Sequence, residues 1–326
     1  MSMPNFTYVK PKSIREAIGQ LSSKGARIHA GGTDLLGCLR DDIFGAEKLV
    51  SVGQLKNLRG ISQTNDGGLR IGALTTISEI ENNKILRERY SALAQAASEV
   101  ASPQLRNQGT IGGNICQKPR CWYYRGEFHC LRKGGDTCYA YQGENQFHCI
   151  FGGNMCYIVH PSDTAPALVA FEAMVRVGGP GGTRLVPIAK FHVPPSENVQ
   201  KESILKPNEI VTEILLPPPA KGLRSSYRKV RARRSWDFAL ASVALALQFD
   251  GDKIMKARVV FGGAAPVPWR SKEVEEAVTG GRLDVDTVTR AAAAAVKNAQ
   301  PLKQNGYKIS LFRGMIEEEL TAMARV

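Results

Sequence analysis

Residues 10–36 read KPKSIREAIGQLSSKGARIHAGGTDLL. Ser13 is placed to cap a helix that carries Ile14, Ala17, Ile18 and Leu21 at helical spacing, with Glu16 completing a capping box. Gly25 ends that helix, and Arg27-Ile28-His29-Ala30 reads as a short strand. The strand runs into Gly31-Gly32-Thr33-Asp34 and then into an apolar helical start. A strand, a glycine pair and a helix N-terminus together cradle phosphate, because bare amides and the helix dipole both point at the anion. Taken singly, such a pair is also an ordinary form of turn.

Further on, residues 49–55 and 68–74 alternate with period two and read as strands. A helix is predicted over Ile77–Arg89, and an alanine-rich one from Ser91 that ends before Pro103. Then comes a second glycine-rich stretch, Arg106-Asn107-Gln108-Gly109-Thr110-Ile111-Gly112-Gly113-Asn114. Two such loops in one domain suggest a diphosphate held between two backbone nests. His160-Pro161-Ser162-Asp163 opens another helix, with Ser162 or Asp163 as its cap. The strand MVRVGG, a GPGG turn and RLVPIAKF continue the mixed texture. Pro217-Pro218-Pro219 fits neither a helix interior nor a central strand, so it marks a boundary between a domain at 1–219 and one at 220–326. The second part, with a turn at Asp250-Gly251-Asp252, a strand KARVVFGGAA and two alanine-rich helices, reads as compact α+β.

The chain has 326 residues, 43% of them hydrophobic and 22% charged, enough apolar content to bury a sizeable core. That composition excludes a fibre or a disordered tail. No apolar run approaches the roughly 20 residues of a membrane-spanning helix. The polar start MSMPNFTYVK carries no legible signal peptide. The expectation is a cytoplasmic protein, or a periplasmic one if a partner subunit carries the export signal. A net charge of +13 permits nucleic acid, an anionic cofactor or an acidic partner. Lys221, Arg224, Arg228, Lys229, Arg231, Arg233 and Arg234 crowd one stretch, but only Tyr227 and Trp236 could serve as stacking platforms. Nucleic acid is therefore not expected; a solvated face, a subunit interface or a cationic wall beside a cofactor remains.

Six of the seven cysteines lie between Cys116 and Cys156, and Cys38 stands alone. A disulfide framework suits short exported chains without a core, and so fits poorly. A zinc site is the usual reading of a cysteine-dense intracellular segment, and a zinc-stabilised basic binding module is one hypothesis. Zinc sites normally show paired knuckles, though, and only Cys116 and Cys121 are so close. The wider ladder C-x8-C-x7-C from Cys121 through Cys130 to Cys138, followed by a further cysteine, better suits an iron–sulfur cluster. Glycines allow tight curling there, and Arg120, Arg125, Arg132 and Lys133 would offset thiolate charge.

In order, Ala30-Gly31-Gly32-Thr33-Asp34-Leu35, Thr110-Ile111-Gly112-Gly113-Asn114, Ser162-Asp163, and Tyr227-Arg228-Lys229 with Asp237-Phe238-Ala239 resemble the FAD-binding medium subunits of the molybdenum hydroxylases, the xanthine dehydrogenase and carbon monoxide dehydrogenase family. The resemblance covers the whole chain. It implies an α+β architecture: a two-subdomain FAD-binding domain of the vanillyl-alcohol-oxidase/PCMH type, then a small carbon monoxide dehydrogenase flavoprotein C-terminal domain. The cysteine-rich segment, about 116–156, resembles an insertion in the flavin subunits of periplasmic aldehyde oxidoreductase and 4-hydroxybenzoyl-CoA reductase, where it carries a [4Fe-4S] cluster.

Carried over residue by residue, the resemblance implies FAD contacts at His29, Ala30, Gly31, Gly32, Thr33, Asp34, Leu35 and Leu36, and at Thr110, Ile111, Gly112, Gly113 and Asn114. Asp163 matches a flavin-side acid, Lys229 a late lysine contact, and Val100 and Val211 apolar flanks. For the cluster, Cys121, Cys130 and Cys138 match in order. The fourth ligand is Cys149 or Cys156, with Cys156 favoured by its spacing to Asp163. No catalytic acid, base or nucleophile is expected in this subunit. The implied partners are a molybdopterin-containing large subunit, a [2Fe-2S] small subunit and an external electron acceptor or donor. A CoA-thioester reductase running electrons the opposite way is the alternative within the same fold.

Overall fold

The computed structural model describes residues 3–325. Its first layer is a small parallel sheet in which β3 (Lys48–Ser51) lies between β1 (Thr7–Val9) and β2 (Ala26–His29). Parallel strands need crossover connections; the helix Ile14–Leu21 carries the chain from β1 past the β3 position to β2, burying Ala17 and Leu21 against Val50 and Val52. Ser13 caps this helix, accepting from the Glu16 N–H at 3.1 Å. The Glu16 carboxylate bonds the Lys12 N–H instead of that of Ser13, so only half of the expected capping box forms.

A five-stranded antiparallel sheet follows, in the order β4 (Ile61–Gln63), β5 (Leu69–Gly72), β8 (Ile210–Leu216), β6 (Met174–Gly179), β7 (Gly182–Pro187). Pairing of β5 with β8, Leu69 opposite Leu216, brings sequence-distant strands together and closes the first domain. The stretch expected as one helix from Ile77 to Arg89 is two, Ile77–Asn82 and Lys84–Arg89. Asn83 has an extended backbone, and its side chain caps the second helix through the Leu86 N–H at 3.1 Å.

Beyond the prolines, β9 (Leu223–Val230), β10 (Ala241–Asp250), β11 (Lys253–Gly262) and β12 (Trp269–Arg270) form an antiparallel sheet. Its central strand is buried on both faces. Val243, Leu245 and Leu247 join the core of the C-terminal helices, Lys272–Val278, Val285–Ala294 and Tyr307–Ala324. Ala244 and Ala246 point the other way, into the core of the first domain. Small residues on that side admit the close helices Ser91–Ser98 and Thr164–Ala170. Each fully buried Val or Leu contributes about 1.5–3 kcal/mol, so both faces of the sheet hold the two parts together.

The cysteine-rich segment has little regular structure, one turn of helix at Trp122–Arg125 and one 3-10 turn at Leu131–Lys133. Its far end is stitched to the C-terminal domain: the Ile150 and Phe151 N–H groups both donate to the Ala264 carbonyl, at 2.9 and 3.1 Å. Phe151 stacks on Trp269 with ring centroids 5.3 Å apart.

Candidate functional site

The two glycine loops face each other. Gly31 lies against the Gln108–Gly109 backbone, so close that a Cβ on it would sit 1.9 Å from the Gln108 carbonyl oxygen. Gly32 has φ +74°, a left-handed conformation that glycine adopts without strain. On the other side Thr110 caps the helix Ile111–Ile115, its hydroxyl accepting from the Gly113 N–H at 3.2 Å. Gly112 packs on Ala73.

Two cavities open along these loops and share Thr33, Asp34, Thr110, Gly113 and Gln117. The first holds about 1060 Å³ of space and is walled by Ala30 to Leu35, Gly112, Val211, Phe44 and Leu205, among others. The second, of about 1390 Å³, runs past Val100, Asn114 and Asp163 to Arg233, Trp236 and Phe238. Together they form an elongated cleft with a mainly apolar end, a waist between the two glycine loops and a polar end; on the second loop the Gly112 and Gly113 N–H groups are taken up by the Ala73 carbonyl and the Thr110 hydroxyl. That shape suits a dinucleotide whose phosphates sit at the waist.

Of the residues the resemblance assigned to FAD, the cleft walls contain Ala30, Gly31, Gly32, Thr33, Asp34, Leu35, Val100, Thr110, Gly112, Gly113, Asn114, Asp163 and Val211. His29, Leu36, Ile111 and Lys229 are not on those walls. His29 sits behind the loop, edge-on to Tyr8 at 5.8 Å. Ile111 is fully buried in the core. Lys229 stands behind Asp163, its ammonium donating to Asp163 Oδ2 at 2.8 Å and to the Glu99 carbonyl at 3.0 Å.

Asp163 is therefore more than a helix cap. It makes no capping bond; Ser162 does that, accepting from the Ala165 N–H at 3.0 Å. Tyr227 donates its hydroxyl proton to Asp163 Oδ1 at 2.9 Å. Burial pushes the Asp163 carboxyl above its ordinary value, and Lys229 and Tyr227 pull against that. Asn114 accepts from both Ser162 and Thr164, at 2.5 and 2.7 Å, which ties the second glycine loop to the Ser-Asp motif.

The thiols gather in a separate place. Cys121, Cys130, Cys138 and Cys156 line one cavity of about 300 Å³ of space, together with Arg132, His148 and Tyr157. Cys149 is buried but is not on that wall, and Cys116 faces the flavin-sized cleft instead. All six thiols of the segment, and Cys38, are free. The proximity of the two thiols holds Cys138 down to about 6 and drives Cys156 up. Burial lifts Cys121 to about 11, opposed by the Tyr124 and Tyr123 N–H groups. Backbone N–H groups of Tyr157, Ala140 and Tyr141 also point at Cys138, and that of Ile158 at Cys156.

A donor set of four free cysteines around one cavity, with Arg132 beside them, fits an iron–sulfur cluster. Among the described residues no group of three or more His, Cys, Asp or Glu is close enough to hold a single ion.

The basic residues of the insertion do not all surround the thiols. Only Arg132 reaches the thiol cavity, and it also donates to Glu202 at 2.9 Å. Arg120 and Arg125 grip Asp34 at 2.9 and 2.8 Å, fastening the start of the insertion to the first glycine loop. Lys133 donates to the Gly126 carbonyl at 2.6 Å. In the run after Lys221, Arg228 pairs with Glu318 and Glu319 and Arg231 with Glu99, so much of that charge is spent inside the molecule. His148, its ring nitrogen 3.3 Å from the Cys121 sulfur, has no sequence signal at all. Burial, and then the Lys308 ammonium, push His148 down to about 4.

The model of the FAD binding domain in molybdopterin dehydrogenase matches residues 4–128 and 148–219, more than half the chain. This chain belongs to that family. The model of the CO dehydrogenase flavoprotein C-terminal domain matches residues 225–322 of this family member. The stretch 129–147, which the first model passes over, falls inside the cysteine-rich insertion. The chain is 36% identical to the aldehyde oxidoreductase FAD-binding subunit PaoB of Escherichia coli, over 95% of each chain. It is 28% identical to the carbon monoxide dehydrogenase medium chain of Hydrogenophaga pseudoflava, over 99% of this chain and 98% of that one. A structure of carbon monoxide dehydrogenase from that organism superposes with a TM-score of 0.76 at 27% identity, covering 98% and 96% of the two chains. Quinoline 2-oxidoreductase from Pseudomonas putida 86 shares the fold, with a TM-score of 0.78 at 21% identity. The family is one of oxidoreductase subunits, and the α+β fold is the one its members share.

Proposed function

We propose that this chain is the FAD- and [4Fe-4S]-carrying electron-transfer subunit of a heteromeric molybdenum-dependent oxidoreductase of the aldehyde oxidoreductase type. In this reading it exchanges electrons between the [2Fe-2S] clusters of a small partner subunit and an external acceptor, while a large molybdopterin subunit handles substrate. The observation that carries the proposal is the amide-lined cleft between the glycine loops with a four-thiol cavity in the same chain. The 36% identity with PaoB favours the aldehyde oxidoreductase type over the CoA-thioester reductase. FAD supplies two-electron chemistry and an iron–sulfur cluster one-electron chemistry.

The chain's own residues bind and position. Amides of the Gly31-Gly32 loop would hold the diphosphate, with the Thr110–Gly113 turn closing the cleft from the other side. Val211 and Phe44 line the apolar end of the cleft. Asp163, fixed by Lys229 and Tyr227, presents a carboxylate of defined orientation at the other end. Cys121, Cys130, Cys138 and Cys156 would hold the cluster, with Cys116 and Cys149 as spare thiols.

The test is anaerobic purification of the chain co-expressed with its partner subunits. The expected product contains one FAD, with iron and acid-labile sulfide each exceeding by four per flavin what the partner's [2Fe-2S] clusters account for. Flavin with no iron beyond the partner's clusters would remove the cluster half of the proposal, and a preparation without flavin that holds zinc in this chain would remove both halves. Cys156→Ser should lose the cluster and Cys149→Ser keep it; the reverse result reassigns the fourth ligand.

A further inference from the structure

His148 sits on a loop that the C-terminal domain holds from several sides. Asn145 and Gln304 exchange backbone-to-side-chain bonds at 3.0 and 2.9 Å. The Asn305 amide donates to the His148 and Cys149 carbonyls, both at 3.0 Å. Lys308, itself fully buried, donates to the Phe147 carbonyl at 3.2 Å and the Gly263 carbonyl at 2.7 Å. The ring is packed against Trp122 at 6.0 Å and Tyr123 at 6.3 Å between centroids, and the residue is only 4% exposed.

What the ring is aimed at is the thiol cavity: Nε2 lies 3.3 Å from the Cys121 sulfur. Nδ1 is buried and has no protein partner. A neutral ring carries one proton. On Nδ1 that proton would meet only the nearby Asn145 carbonyl, which makes no hydrogen bond of normal geometry with it, at a cost of about 1–3 kcal/mol; on Nε2 it faces sulfur.

We propose that His148 is a positioning residue for the cluster, its Nε2–H donating to the Cys121 thiolate and thereby raising the cluster's reduction potential. The inference rests on the [4Fe-4S] reading above. Reduction adds negative charge that the sulfurs share, so a hydrogen bond to one of them is stronger in the reduced form. Removing the donor lowers the potential without removing a ligand.

The experiment is a mediated redox titration of the whole complex, following the EPR signal of the reduced cluster in wild type, His148→Phe and His148→Gln. Phenylalanine keeps the ring packing and lacks the donor; glutamine places an N–H near the Nε2 position. The expected result is a lower midpoint potential for His148→Phe and recovery in His148→Gln, with unchanged iron content. Equal potentials in wild type and His148→Phe overturn the proposal, as does a glutamine variant that behaves like phenylalanine. Should His148→Phe fail to assemble the cluster, His148→Gln decides alone: wild-type potential supports the role, and a displaced potential or a missing cluster overturns it. A wild-type complex with no cluster signal would instead defeat the [4Fe-4S] reading itself.

Discussion

At the scale of single residues, Gly31 shows how little tolerance the cleft has. A methyl group there meets the Gln108 carbonyl oxygen, a backbone atom that cannot swing aside. Gly31→Ala must part the two loops, and the proposed diphosphate site between them would lose its shape. The expected outcome is at least a tenfold loss of flavin affinity, about 1.4 kcal/mol, with the circular dichroism of the folded chain unchanged. Measured flavin retention at wild-type level would contradict it. The glycine pair itself was legible from its place between a strand and a helix. Its reason was not, because the opposing atom belongs to Gln108, far away in sequence. Lys229 illustrates the same limit: the motif was visible, but the residue acts through Asp163 and not on the cleft wall. His148 had no spacing rule to reveal it.

Among elements, the cysteine-rich insertion is held at both ends by contacts within the protein alone. Its start is fastened by Arg120 and Arg125 to Asp34 on the first glycine loop, and Lys118 adds a backbone N–H to Asp34 Oδ2 at 2.7 Å. Arg125 also donates to the Cys38 sulfur at 2.9 Å and to the Pro119 carbonyl at 2.8 Å. Arg125→Met should therefore weaken two things at once, flavin retention and iron retention, because the loop and the insertion share one carboxylate. A loss near tenfold in flavin affinity is the expected size for a partly buried charged pair. Titration of the apo chain with FAD measures it; an effect on iron alone would show that the fastening does not reach the flavin loop. Helix boundaries show what periodicity conceals. Asn83 falls at a polar position in an unbroken helical pattern, so only its extended backbone, and its cap on Leu86, reveal two helices instead of one.

For the whole molecule, buried neutral histidines set the response to acid. His192 is held down to about 4, chiefly by burial, and His160 well below its ordinary value by burial and by His192 beside it. Their rings lie 4.1 Å apart between centroids. Both folded values are depressed, so the native chain stays unprotonated while the unfolded chain takes up protons as pH falls below about 6.5. Stability is full above that pH and declines beneath it, approaching about 1.4 kcal/mol per pH unit for each histidine. Denaturant midpoints at pH 7, 6 and 5 measure the slope, and His192→Gln should make it shallower. A flat profile would mean that these rings are charged or exposed in the native chain.

The prolines at 217–219 mark where the chain changes partners, yet the molecule has no weak plane there. Ala244 and Ala246 of the second half are built into the interior of the first, while Ile150 and Phe151 of the first are built into the interior of the second. Each half thus plugs the other, like interlocked fingers. A backbone nicked at the prolines would stay one particle, and the cleft and the thiol cavity would keep their separation even with the covalent link between the halves gone.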